Sequence, residues 1–122
     1  WIIVIWLSFI ATAIASVVLK ETIMRPRPGI YEGFILTQYS FPSMHAALAF
    51  ALVPVLVKEF PKLQWFWILF AFLVAASRIY LGVHYLSDVI FGGLLGYAIG
   101  RGVIWLEEKK KLKRLEQLLP LK

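Results

Sequence analysis

Three short clusters hold nearly all the reactive side chains of this chain. They are Lys20 with Arg27-Pro28, then Pro42-Ser43-Met44-His45, then Ser77-Arg78 with His84 and Asp88. Guanidinium groups grip a tri-oxygen anion in a bidentate way, so Arg27 and Arg78, with Lys20, suit phosphate. Arg27 lies between Pro26 and Pro28, which restrict the backbone on both sides and give it a stiff mount. Ser43 follows a proline where a hydrophobic segment begins, so it reads as a helix N-cap. A helix N-terminus also offers free N–H groups and partial positive charge to an anion. His45 falls in the first turn of that helix. His84 and Asp88 are four apart, and on a helical turn they share a face. A carboxylate bonded to one imidazole nitrogen fixes the tautomer and frees the other nitrogen as a nucleophile.

Each of these residues has a plainer role when taken singly. Lys20 and Arg78 can snorkel to a membrane interface, and His45 can be a polar tip at the headgroup level. Ser43 can cap its helix and do nothing more. Asp88 can simply favour the positive start of a helix. His45, His84 and Asp88 could alternatively hold zinc; Lys20, Arg27 and Arg78 oppose that, because they repel a dication.

The elements that must position these clusters are hydrophobic. Of the 122 residues, 61% are hydrophobic and the mean hydropathy is +0.78, well above a soluble domain of this size. The uncharged run from Trp1 to Leu19 is long enough to cross a bilayer core. It lacks the basic start and cleavage site of a signal peptide, and similar segments follow it. The absence of cysteine excludes disulfides and thiolate metal sites. The net charge is +6, and many of the basic residues crowd between Lys109 and Arg114, beside a membrane segment. That pattern points to anionic lipid headgroups rather than to nucleic acid.

Four membrane helices are predicted, at residues 1–19, 43–57, 63–81 and 85–106. Together they make an all-α transmembrane bundle. Pro54 predicts a kink in the short second helix. The longest link, residues 20–42, carries Pro26, Pro28, Gly29 and Gly33 and should be irregular. Lys58, Lys62, Arg101, Lys109, Lys110, Lys111, Lys113, Arg114 and Lys122 fall on one side of the bundle. Lys20, Arg25, Arg27 and Arg78 fall on the other. The positive-inside rule makes the first side cytoplasmic, so all three clusters face outward. Ser8, Thr12 and Ser16, and Gly92, Gly96 and Gly100, recur every four residues and read as packing stripes. Residues 1–106 form the membrane domain. Residues 107–122, with Leu112, Leu115, Leu118 and Leu119 among lysines, form a basic amphipathic tail.

In order and internal spacing the three clusters resemble the type 2 phosphatidic acid phosphatase superfamily, which includes vanadium haloperoxidase relatives. Its first motif is Lys, six residues, Arg-Pro, matched by Lys20 and Arg27-Pro28. Its second is Pro-Ser-Gly-His, matched by Pro42-Ser43-Met44-His45 except that Met44 replaces glycine. Its third is Ser-Arg, five residues, His, three residues, Asp, matched by Ser77-Arg78, His84 and Asp88. The resemblance implies that His84 attacks phosphorus and carries a phosphohistidine, oriented by Asp88. It implies that His45 protonates the leaving oxygen and later activates water. It implies that Lys20, Arg27, Ser43 and Arg78, with the Met44 amide, hold the phosphoryl oxygens without a metal or other cofactor. Preorganised charge of this kind is what phosphoryl transfer mostly needs. The family's membrane branch has six spans, and the four predicted here look like its last four.

The implied activity is hydrolysis of a lipid phosphate or diphosphate. Phosphatidic acid, phosphatidylglycerol phosphate and polyprenyl diphosphate are the substrates weighed. The expected location is the plasma membrane, with the site outward and the basic tail on anionic headgroups. Phosphotransfer to an alcohol through the same site, and a non-catalytic lipid-phosphate-binding role, are the alternatives. Headgroup contacts are expected in residues 29–40, among them Tyr31, Glu32, Gln38 and Tyr39.

Overall fold

The structure, a computed structural model, describes residues 1–28 and 39–119. Four helices follow one another: α1 (Ile2–Ile23), α2 (Met44–Glu59), α3 (Gln64–Tyr80) and α4 (Leu86–Leu118). A short 3-10 turn, Pro61–Leu63, leads into α3. The protein is an all-α membrane bundle, as expected. Among the described residues, three helical stretches are long and apolar enough to cross a membrane: Ile2–Ile23, Pro61–Tyr80 and Leu86–Leu118. The fourth helix, α2, has 16 residues. At 1.5 Å per residue it is about 24 Å long, short of a bilayer core of roughly 30 Å. It is nevertheless the packing centre, touching α1, α3 and α4. Pro54 sits inside it without ending it.

The packing follows from small residues at helical spacing. On α1, Val4, Ser8, Thr12, Ser16 and Lys20 are all buried, one per turn, on a single stripe. The remaining faces carry exposed Ile3, Trp6, Ile10 and Ile14, as a lipid-facing helix should. On α4, Gly92, Gly96 and Gly100 meet the backbone of α2 directly. A Cβ on Gly92 would lie 2.6 Å from the Ser43 carbonyl oxygen. A Cβ on Gly96 or Gly100 would collide with the carbonyls of Ala47 and Ala51. Ala46, Ala47 and Ala51 are fully buried on the facing helix. Close backbone approach of this kind drives helix association in lipid.

Two backbone devices turn the chain at the end of the bundle that carries the clusters. Met24 closes α1 in the left-handed region, with its amide bonded to the Lys20 carbonyl. Gly82 has φ 68, a conformation that L side chains rarely adopt, and lets α3 reverse into α4. At the opposite end α4 continues past residue 106 to Leu118. The apolar run ends at Leu106, but nothing in Glu107–Leu118 breaks a helix. Glu, Lys and Leu are good helix formers, and Lys111 pairs with Glu107 one turn back at 3.3 Å. Lys58 bonds Glu108 at 2.8 Å, which ties the end of α2 to this extension.

Candidate active site

All three clusters meet at one end of the bundle. Lys20 ends the buried stripe of α1 and is itself 3% exposed. Its ammonium donates to the carbonyls of Pro42, at 2.8 Å, and Tyr39, at 3.3 Å. Two of its three donors therefore hold the segment that leads into α2, and a third is left for a ligand. The segment is anchored again by an antiparallel bridge between Pro26 and Tyr39 and by the Ser40 amide on the Arg25 carbonyl, 2.8 Å. Arg27 Nη1 donates to the Val83 carbonyl at 2.9 Å and lies 3.4 Å from His84 Nε2.

Ser43 is the N-cap of α2, and its hydroxyl accepts from the Ala46 amide at 3.4 Å. Its own amide donates to the Asp88 carbonyl at 3.0 Å, which joins the start of α2 to the start of α4. Met44 takes the first helical position with an ordinary negative φ, so the place of the usual glycine demands no glycine conformation. Among the described residues, the amides of Met44 and His45 have no acceptor. They are donors aimed out of the helix N-terminus, where the dipole is positive. The His45 side chain is exposed in this first turn and lies in the field of Arg78, Lys20 and Arg27.

Arg78 lies in the last turn of α3. Its Nε is buried without a hydrogen-bond partner, and no ion pair is formed by it among the described residues. A buried guanidinium nitrogen without a partner is costly unless a ligand completes it. Ser77, by contrast, is spent on its own helix, with its hydroxyl on the Val74 carbonyl at 2.6 Å.

His84 is buried in the turn between α3 and α4. Its Nδ1 lies 2.8 Å from the Ser40 carbonyl, an acceptor only, so Nδ1 carries the proton and Nε2 carries the lone pair. Burial, then the charges of Arg27 and Lys20, hold this imidazole below its usual range, at about 4. The Asp88 charge and the Ser40 bond oppose the shift only partly. The ring is thus neutral at pH 7, with Nε2 facing the cations. That is the state an attacking imidazole requires.

The sequence expectation put Asp88 on His84. The fully buried carboxylate stands 3.6 Å from Nδ1, beyond hydrogen-bond range. At rest the Ser40 carbonyl fixes the tautomer. Asp88 Oδ2 instead takes the Tyr85 amide at 2.8 Å. Asp88 Oδ1 pairs with Arg25 at 3.0 Å. Arg25 and Ser40 were not singled out by the sequence reading. Arg25 stands two residues before Arg27 in the alternation Arg-Pro-Arg-Pro, a doublet that hints at two ligands for one loop. Nothing in the sequence marks the Ser40 carbonyl. His45, His84 and Asp88 do not come together as a metal cage: among the described residues no such group is close enough. The headgroup contacts expected at Tyr31, Glu32 and Gln38 lie outside the described residues.

The PAP2 superfamily model matches residues 1–112. The undecaprenyl-diphosphatase of Sulfolobus acidocaldarius is 35% identical over 93% of this chain and 58% of its own length. Phosphatidylglycerophosphatase B of Bacillus subtilis is 39% identical over 82% of this chain and 54% of its own. The chain therefore spans a little over half the length of these curated relatives. Among solved structures, the first transmembrane PAP2-type phosphatidylglycerolphosphate phosphatase of Bacillus subtilis superposes with a TM-score of 0.74 at 33% identity. It covers 88% of this chain and 59% of that one. Aquifex aeolicus LpxE superposes with a TM-score of 0.70 at 31% identity, over 83% of this chain and 65% of that one.

Proposed function

The chain belongs to the PAP2 superfamily, and on that premise we propose that it is an integral membrane phosphatase acting on a lipid phosphate or diphosphate. One observation carries the reading. A buried, neutral His84 turns the lone pair of Nε2 toward Arg27, at the end of the bundle where, among the described residues, Arg78 Nε and the first amides of α2 lack partners. That is a nucleophile next to a seat for three phosphoryl oxygens.

The steps follow from the chemistry. The phosphoryl oxygens take Arg27, Arg78, the spare donor of Lys20, the Ser43 hydroxyl and the Met44 amide. Nε2 of His84 forms a bond to phosphorus as the bond to the leaving oxygen breaks, and His45 delivers a proton to that oxygen. The Asp88 carboxylate stabilises the charged phosphohistidine. Water, deprotonated by His45, then attacks phosphorus, the P–N bond breaks, and phosphate leaves.

A lipid substrate is supported by the surroundings. A crease of about 360 Å³ between α3 and α4 is lined by Phe72, Ala75, Ile79, Leu86, Val89 and Leu94. Its outer end adjoins the turn that holds His84. The relative matched over 93% of this chain is named for undecaprenyl diphosphate, which makes that lipid the leading substrate. Phosphatidylglycerol phosphate, for which another relative is named, is the next. Lys58, Lys62, Arg101 and the lysines of α4 gather at the opposite end. That asymmetry supports a site facing outward from the plasma membrane, with the basic end of α4 on anionic headgroups.

The test is phosphate release from undecaprenyl diphosphate, phosphatidylglycerol phosphate and phosphatidic acid in detergent micelles. Wild-type protein should release phosphate from at least one of them, and quenching in alkaline detergent should trap a phosphoprotein, stable to alkali and lost in acid, that His84→Ala does not form. Lipid binding without release from any of the three would reject hydrolysis. Full activity in His84→Ala would reject the nucleophile.

A further inference from the structure

Arg25 stands at one of the unspecified positions of the first motif, yet it touches both partners of the nucleophile. Its guanidinium Nη1 has two protons and two acceptors: Asp88 Oδ1 at 3.0 Å and Ser87 Oγ at 2.6 Å. The plane of the same group stacks over the Tyr85 ring, 4.1 Å from Cζ to the centroid. Its backbone carbonyl accepts the Ser40 amide at 2.8 Å. The Ser40 carbonyl in turn takes the proton of His84 Nδ1. Two arms therefore meet at Arg25: its backbone leads through Ser40 to His84, and its side chain leads to Asp88, which stands 3.6 Å from His84 Nδ1.

We propose that the Arg25 side chain is the positioning residue of the site, holding the Asp88 carboxylate in place beside His84. The proposal rests on the reading of His84 as the nucleophile.

The geometry gives Arg25 a role that no other described residue fills. Asp88 is fully buried, and its two oxygens are fixed by two donors of different origin. The Tyr85 amide belongs to the same helix start and would hold the carboxylate in any rotation that keeps Oδ2 in place. Among the described residues only Arg25 fixes the other oxygen, and so the plane. With both fixed, Oδ2 stands 3.6 Å from His84 Nδ1. That distance is too long to compete for the proton that Ser40 already holds, but short enough to stabilise the ring once phosphorylation makes it cationic. Without Arg25 the carboxylate is free to swing, and a misplacement of about 1 Å at such a site can cost on the order of 100-fold in rate. Arg25 is 36% exposed at its side chain, so it reaches the buried carboxylate from the rim and leaves Arg27 and Arg78 to the phosphate.

The experiment compares wild type, Arg25→Gln and Arg25→Lys as full-length protein in detergent. Three things are read: kcat and KM on the lipid that wild type hydrolyses, Kd for inorganic phosphate, and the 15N shifts of His84 through a pH titration. In Arg25→Gln, kcat should fall about 10- to 100-fold with little change in KM or in phosphate Kd. The His84 midpoint should rise, because Asp88 favours the charged ring and the cation that offsets its charge is gone. Arg25→Lys keeps a cation but lacks the paired donors, so it should fall between wild type and Arg25→Gln. Should Arg25→Gln not fold, Arg25→Lys carries the test through a several-fold loss of kcat. Wild-type kcat in the folded variants overturns the proposal. A phosphate Kd that worsens in step with kcat also overturns it, since Arg25 would then be a phosphate ligand. A wild-type protein that hydrolyses nothing rejects the proposed function instead. The His84 titration then decides the positioning role alone, and an unchanged midpoint ends it.

Discussion

The two ends of the bundle both carry charge, but they hold it differently. At the far end Lys58, Glu107, Glu108 and Lys111 form ion pairs between groups that solvent reaches. At the end that carries His84, a fully buried aspartate, a buried lysine and a buried histidine are tied by partners distant in sequence. Exposed pairs contribute little, because water would serve each partner nearly as well. Buried ones are costly to assemble and costly to break. One end tolerates substitution. The other is a set of mutually dependent parts, as expected where charge is kept for chemistry.

The largest effects should come from the buried end. His84→Ala or Asp88→Asn should lower phosphate release 10³-fold or more, with the bundle still folded by circular dichroism. A loss under tenfold in either would erase the contrast between the ends. Arg78→Ala should cost about 10²- to 10³-fold in kcat, the scale for removing one charge-stabilising donor. Smaller effects would mean that another group seats the oxygens.

Packing gives the next prediction. Gly96→Ala forces α4 off the Ala47 carbonyl and should destabilise by about 1–3 kcal/mol, read by thermal unfolding in detergent. A Cβ on Gly102 meets nothing within 4 Å, so Gly102→Ala should change stability by less than about 1 kcal/mol. Equal effects at the two glycines would contradict the seam.

The pH response comes next. The folded pKa of His84 is depressed, so the unfolded chain binds the proton more readily. The stability tied to the neutral ring is fully present above the ordinary value of 6.5 and is lost as pH falls toward about 4. An NMR titration of the His84 imidazole should show a midpoint well below 6.5, and one at or above it would remove the buried, neutral nucleophile. The smallest effect belongs to the far end. Lys58→Ala should leave phosphate release unchanged and unfolding only slightly earlier, whereas a large loss of activity would show the two ends to be coupled.

What could be read from the sequence depended on range. Helices announce themselves locally, so α1 to α4 fell within a few residues of the predicted spans. The exception was the far end of α4, where hydrophobicity stops at Leu106 but helix formation does not. The glycine stripe of α4 was legible because its spacing is its function. The three clusters were legible because their internal spacing is fixed by local geometry. The two arms from Arg25, through Ser40 to His84 and directly to Asp88, were not. Arg25 and Asp88 lie 63 positions apart, and a backbone carbonyl such as that of Ser40 has no side-chain signature. His84 and Asp88 do share a helical turn, but the tertiary acceptor at Ser40 takes the proton that the local pattern assigned to Asp88.

Gly92 lies one turn beyond Asp88 and rests on the Ser43 carbonyl, while the Ser43 amide reaches back to the Asp88 carbonyl. The proposed phosphate seat and the mount of His84 are thus joined main chain to main chain, with no side chain as a spacer. Lipid-facing positions can drift, and the bilayer can thicken or thin around them, without altering that joint. On the proposed function, the helix walls that meet a lipid tail can change while the geometry of the site is kept.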